Sequence, residues 1–194
     1  VAGRPGYRHE KRYLRADGTT IWVDVTIRPL HDETGATTSA LATIQDITAH
    51  RAARAALELQ AQALDAAANA IVITDRRGVI ERVNPALVAL TGYPADELIG
   101  ADMRIFSSGR QPPEFYRAMW QTITAGQVWR GELRNRRKDG SLYHEEMTIT
   151  PVRDAAGAIS RFVAIKQDVS ERYLAEAALR SSEARYRALV DDIE

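Results

Sequence analysis

Asn135-Arg136-Arg137-Lys138-Asp139-Gly140-Ser141 separates two runs, 128–137 and 141–152, that read as β-strands joined by a hairpin turn at Asp139-Gly140. A third run, 159–168, follows a longer turn signal from Asp154 to Gly157. The same grammar stands earlier in the chain. Asp17-Gly18 lies between strand-like runs 8–15 and 20–29, and Asp32 to Gly35 precedes a third run, 39–47, all rich in Val, Ile, Thr, Trp and Tyr. The interval that carries Asp17 to Asp139 also carries Pro29 to Pro151, Asp32 to Asp154, Gly35 to Gly157 and Gln45-Asp46 to Gln167-Asp168, without a gap. A fixed period of this length indicates tandem copies of one domain rather than one large core.

The second copy carries a front half that the first lacks. Ile71 to Thr74 and Val79 to Val83 form a hairpin across Asp75-Arg76-Arg77-Gly78. Asn84-Pro85 reads as an N-cap followed by proline at the first helical position. Helix is expected over 86–90 and 94–98, a turn or short helix over 103–109, and a longer helix over 113–124 that ends before Gly126. Strands joined by such short turns must be antiparallel. The expected class is therefore α+β, an antiparallel sheet with helices on one face. Residues 1–48 are too few for a core of their own, so the chain is expected to be a fragment.

Alanine-rich stretches without Gly or Pro read as linker helices. In the first, 51–70, Leu57, Gln60, Leu64, Ala67 and Ile71 follow a heptad seam. Leu179, Ser182, Tyr186, Leu189 and Ile193 repeat it in phase. The seam suits a parallel dimer; a lone amphipathic helix lying on its own domain is the other reading.

Lys+Arg and Asp+Glu both count 26. Zero net charge argues against nucleic acid or an anionic membrane as the main partner. No apolar run reaches the ~18 residues of a membrane span. Cysteine is absent, which excludes disulfides, thiolate nucleophiles and cysteinyl-flavin photochemistry. His9, His31, His50 and His144 show no metal-ligand spacing. No phosphate loop or nucleophile elbow appears, and His50 lacks a phosphoacceptor context. Any kinase, cyclase or phosphodiesterase activity is expected outside this stretch.

Arg136-Arg137-Lys138-Asp139-Gly140-Ser141, Thr150-Pro151-Val152, Asp46-Ile47-Thr48, Asp168-Val169-Ser170, Asn84-Pro85-Ala86 and Thr91-Gly92-Tyr93 together resemble the PAS family with its C-terminal PAC segment. The resemblance implies a five-stranded antiparallel sheet whose helices enclose a pocket. It also implies signalling through helical linkers, usually in dimers, to kinase, cyclase or phosphodiesterase outputs. On it, 1–48 is the C-terminal (PAC) half of a first domain, 49–64 a coiled-coil-like linker helix, 65–170 a complete domain, and 171–194 a linker leading into a further module. Met119-Trp120, Val128-Trp129-Arg130-Gly131 and Asn135 to Asp139 are similar to the flavin-binding redox-sensing subset, the nitrogen-fixation-regulator and methane-oxidation-sensor type. There, residues matching Trp120 and Asn135 contact the flavin ring. An acidic flavin contact of that subset falls on Met103. The resemblance implies FAD, a homodimer through the linkers, an attached output such as a histidine kinase or diguanylate cyclase, and a cytoplasmic setting. Heme ligation has no candidate, because 113–124 contains no histidine.

Strand alternation gives a separate reading of the pocket. Trp129, Gly131 and Leu133 share a parity that points Asn135 inward. Turns centred at Asp139-Gly140 and near 155–156 would set Asn135 opposite Glu145 and Glu145 opposite Lys166, a straight polar row across three strands. The first copy has Tyr13, Val23 and Ile44 at the matching places. A buried polar group without a partner costs about 1–3 kcal/mol. Either a planar ligand with donors and acceptors at its edge satisfies the row, or a Glu145–Lys166 pair does, with Asn135 bonded to it or to water. Trp120, spaced with Tyr116 and Ile123, is most simply core, and Trp129 is core or pocket wall. His144 takes the outward parity. Asp46 and Asp168 are expected to anchor sheet to helix.

Overall fold

The computed structural model describes residues 7–191, with side chains to 185. It divides into two compact units, Val1–Gln62 and Ala63–Glu194.

The first unit is a three-stranded antiparallel sheet, β1 (Tyr7–Leu14), β2 (Thr20–His31) and β3 (Thr37–Asp46), ordered β1-β2-β3. Helix α1 (Thr48–Asp65) begins at its end. Asp46 Oδ1 accepts from Thr48 N at 2.9 Å and Oδ2 pairs with Arg15 at 2.8 Å, which fixes the strand-to-helix corner. Arg51 lies 4.1 Å from the Trp22 ring centroid.

In the second unit, β4 (Ala70–Asp75) and β5 (Ile80–Val83) are followed by α2 (Pro85–Thr91), α3 (Ala95–Leu98), a 3₁₀ turn (Met103–Phe106) and α4 (Pro113–Thr124). Strands β6 (Trp129–Arg136), β7 (Leu142–Arg153) and β8 (Ile159–Asp168) come next, then α5 (Ser170–Asp191). All pairings are antiparallel and the order is β5-β4-β8-β7-β6, so the first strand hairpin inserts beside the last strand. One face packs on the intervening helices through Val72, Leu87, Leu98, Phe106, Met147 and Phe162. Truncating a buried leucine such as Leu87 to alanine costs about 2–5 kcal/mol.

Asn84 does more than cap α2. Its Oδ1 accepts from Leu87 N at 3.1 Å and from Ile71 N at 2.8 Å, while Nδ2 donates to Asn69 O at 2.9 Å and also faces the carbonyls of Leu64 and Ala67. These bonds take the chain out of helix after Asp65 and into β4. The first heptad seam is therefore shorter than its sequence pattern. Leu57, Gln60 and Leu64 lie on α1, but Ala67 lies past its end and Ile71 is a strand residue paired with Ile165. Of the second seam, Leu179 and Ser182 lie exposed on α5. The side chains of Tyr186 and Leu189, and all of Ile193, lie outside the described residues.

Both turns close as three-residue loops, the second by a bond from Asp154 N to Ala158 O at 2.9 Å. The first closes between Arg137 and Ser141, with Arg137 N donating to Ser141 O at 2.8 Å. Lys138, Asp139 and Gly140 form a three-residue loop, and Gly140 takes the left-handed conformation (φ 87°) that such a loop needs. Asn135 consequently faces Tyr143, not Glu145. Across the next hairpin, which carries an irregularity at Val152/Arg153, Glu145 faces Asp168 and Lys166 faces Met147. Each register differs from expectation by two residues, so every side chain keeps its face. The polar row is diagonal rather than straight.

Candidate functional site

Between the sheet and α4 the second unit encloses a cavity of about 440 Å³. Its walls are apolar, with Met119 and Ile123 from α4 opposite Leu133, Met147, Ile149 and Ala164 from the sheet. The Trp120 indole is half-buried, meets Phe162 edge-on at 5.8 Å, and packs on the turn at Gly78, where a Cβ would stand 3.2 Å from the ring. Trp120 is thus both core and cavity wall.

At one end the wall turns polar. Asn135 and Lys166 line the cavity. Lys166 is 1% exposed and Glu145 0%. Lys166 Nζ donates to Glu145 Oε1 at 2.9 Å and stands 4.9 Å from the Phe106 ring centroid. Asn135 Nδ2 donates to Glu145 Oε2 at 3.3 Å, leaving Oδ1 without a donor among the described residues. The Tyr143 hydroxyl donates to Glu145 Oε2 at 2.8 Å. Diagonal cross-strand spacing lets these long side chains meet despite the shifted register. Burial, and then the charge of Glu145, pushes the Tyr143 phenol far above its ordinary range.

Three donors on one carboxylate satisfy the charge that desolvation would otherwise penalise. Glu145 therefore sits behind the lining, and the cavity meets the positive end of the Lys166–Glu145 dipole beside the Asn135 carbonyl oxygen. This end can hydrogen-bond an edge that carries both acceptors and donors, and the apolar walls can hold a flat ring. The volume lies within the roughly 300–1,000 Å³ of small-molecule sites.

Arg77, Asp102, Met103 and Arg104 also line the cavity. Arg104 forks onto Asp102 at 2.9 Å, and that hydrogen bond holds the Asp102 carboxyl below its usual range. Among the described residues no group of His, Asp or Glu could hold a metal ion.

Trp129 falls outside the cavity. Its ring lies across Gly131, where a Cβ would meet it at 2.5 Å, and edge-on to Phe115 at 5.5 Å. Inward parity was correct, but the missing side chain at Gly131 lets the indole fold along its own strand. His144 faces the opposite side of the sheet and stacks on Tyr173 of α5 at 4.1 Å. Sequence reasoning missed Tyr143, although it shares the parity of Glu145, because an inward tyrosine passes for ordinary core. Phe106 was hidden in a segment without periodicity.

A family model described as "PAS domain" matches residues 2–49 and 68–171. A nitrogen fixation regulatory protein of Klebsiella oxytoca is 37% identical over 130 residues, 67% of this chain and 26% of that protein. A blue-light-activated histidine kinase of Brucella canis is 33% identical over 87 residues, 45% of this chain and 18% of that one. The chain spans about a quarter or less of these relatives. Among solved structures, a light-oxygen-voltage domain described in connection with a flavin analogue superposes with a TM-score of 0.54 at 27% identity, over 66% of this chain and 96% of that one.

Proposed function

Because the chain belongs to the PAS domain family of signal-transduction sensors, we propose that residues 65–170 bind a small planar ligand, FAD as the best candidate, and report its redox or binding state through α5. The observation that carries this reading is the pair Asn135 and Lys166 in the wall of an otherwise mainly apolar cavity. A relative regulates nitrogen fixation, and a structural neighbour is described with a flavin analogue, which supports the ligand class.

A bound flavin would supply electron-accepting chemistry. Asn135 and Lys166 would hold and orient its polar edge, the Trp120–Phe162 pair would form one side of its site, and the apolar walls would exclude water from the ring. Residues 1–48 would be the back half of a first copy of the domain, ahead of the complete copy at 65–170. The chain itself performs no catalysis; α5 passes the state of the cavity to an attached output, a histidine kinase or diguanylate cyclase, in a cytoplasmic homodimer joined through its linker helices. Among the described residues no helix is long and apolar enough to cross a membrane. A relative that is a histidine kinase supports that class of output.

The absorbance spectrum of protein purified under native conditions tests the ligand. Flavin bands are expected; a colourless preparation that fails to take up added FAD ends the reading. Leu179→Asp tests the dimer: Leu179 lies exposed on α5, and its replacement should shift sedimentation toward monomer. An unchanged profile would reject the seam.

A second reading rests on the internal satisfaction of Glu145 by Tyr143, Asn135 and Lys166. A cavity whose charges are already paired tolerates having no guest. The unit would then be a dimerising relay, with Met103 standing where the flavin-binding subset has an acid.

A further inference from the structure

We propose that Arg137 is a positioning residue that ties the buried polar cluster of the cavity to the first turn of α5, an inference that rests on reading residues 65–170 as a ligand-modulated sensor. Its guanidinium meets three elements. Nη1 donates to Leu90 O near the end of α2 at 3.0 Å, and Nη2 donates to Asp168 Oδ2 at the end of β8 at 2.7 Å. Its carbon stands 4.4 Å from the centroid of the Tyr143 ring. Tyr143 is the residue whose hydroxyl is bonded to Glu145, and Asp168 Oδ1 accepts from Ser170 N, the first residue of α5, at 2.8 Å.

The contacts therefore run unbroken from Lys166 and Asn135 at the cavity, through Glu145, Tyr143, Arg137 and Asp168, to Ser170. Only a planar group with donors on both sides and an open face can hold two carbonyl-type acceptors and an aromatic ring together, so arginine is specific here. A guest whose acceptor takes the Asn135 amide N–H withdraws that donor from Glu145 Oε2 and leaves the Tyr143 hydroxyl as the remaining partner of Oε2. Hydrogen-bonded groups polarise one another. The Tyr143 ring then becomes a better cation acceptor, and Arg137 is drawn toward it at the expense of Asp168.

The first unit supplies a natural contrast. Arg15 pairs with Asp46, and Asp46 holds Thr48 at the start of α1, in the same arrangement. The positions matching Tyr143 and Glu145 are Ile21 and Val23, so no polar link reaches inward from that arginine.

Amide hydrogen exchange at Ser170 and Tyr173, measured without added ligand, tests the link. Neutralising the cluster with the double change Glu145→Gln, Lys166→Met should alter exchange there by about fivefold or more. In an Arg137→Gln background the same double change should move it by less than about twofold. Arg137→Lys keeps the charge but not the fork, and should behave as Arg137→Gln does; rescue by lysine, equal shifts in both backgrounds, or no shift in either would overturn the proposal. If the double variant does not fold in a urea titration, Tyr143→Phe replaces it. That change deletes one hydroxyl and keeps the ring, and it must produce the shift with Arg137 present and lose it without. The exchange readout does not depend on a flavin, so a colourless protein defeats the FAD reading while leaving this result standing.

Discussion

Glu145 is buried completely on β7 of the second sheet, and Val23 is buried almost as fully at the matching position of the first. The two sheets share their turns, their register and the corner at which each hands its chain to a helix. Tyr13 pairs with Ile21 as Asn135 pairs with Tyr143, and Val23 pairs with Asp46 as Glu145 pairs with Asp168. Their linings differ. One carries Ile21, Val23 and Ile44 where the other carries Tyr143, Glu145 and Lys166. Backbone geometry thus came from the repeated turn and strand residues, while the inward side chains were free to diverge. A frame that tolerates either lining does not itself require the ionic cluster.

The comparison is most exposed at Lys166. Lys166→Met leaves Glu145 buried without its cation and should cost about 3–5 kcal/mol in urea unfolding, whereas Ile44→Lys, at an exposed matching position, should stay within about 0.5 kcal/mol. Similar costs at both sites would dissolve the distinction. Gly131→Ala forces a Cβ into the Trp129 ring and should cost about 1–3 kcal/mol by thermal melt; His9→Ala at the matching exposed place should be nearly silent. Asn135→Ala should weaken FAD retention about tenfold by fluorescence titration, the worth of one hydrogen bond, while Tyr13→Ala leaves it unchanged. The smallest effect concerns pH. The Tyr143 phenol is raised above its ordinary value of 10.0, so the unfolded chain releases that proton before the folded one does. Stability should therefore be complete below pH ~10 and fall above it, and Tyr143→Phe should remove that part of the slope. A slope unchanged by the substitution would show that burial and the neighbouring Glu145 do not raise the phenol.

Several features were legible in the chain before any coordinates. Asp139-Gly140 and Asp154 to Gly157 marked the turns, and alternation placed Asn135, Glu145 and Lys166 on one face. Their contacts were not legible. The residue on which a loop is centred and any irregularity beside it decide register, and an Asp-Gly pair fixes neither. The error was even in both hairpins, which is why facing survived it. Trp129 shows a different limit: parity assigns a side to the Cβ, but a large ring goes where its neighbours leave room, and Gly131 left room along the strand. Asn84 shows a third. Its capping role is local and readable, whereas its grip on the carbonyls of Leu64, Ala67 and Asn69 joins segments that only folding brings together.

What the amino-acid order determined alone was periodic and local: the repeated interval, the strand and helix spans, the turn residues and the inward parity. Those follow from backbone sterics and from alternation, which act within a few residues. What the tertiary structure decided was which polar atoms meet: that Glu145 takes three donors and withdraws behind the wall, that Lys166 and Asn135 remain to face the cavity, and that Arg137 bridges Tyr143 and Asp168. Those contacts depend on register across strands and on side-chain reach, and both are set only when distant segments pack.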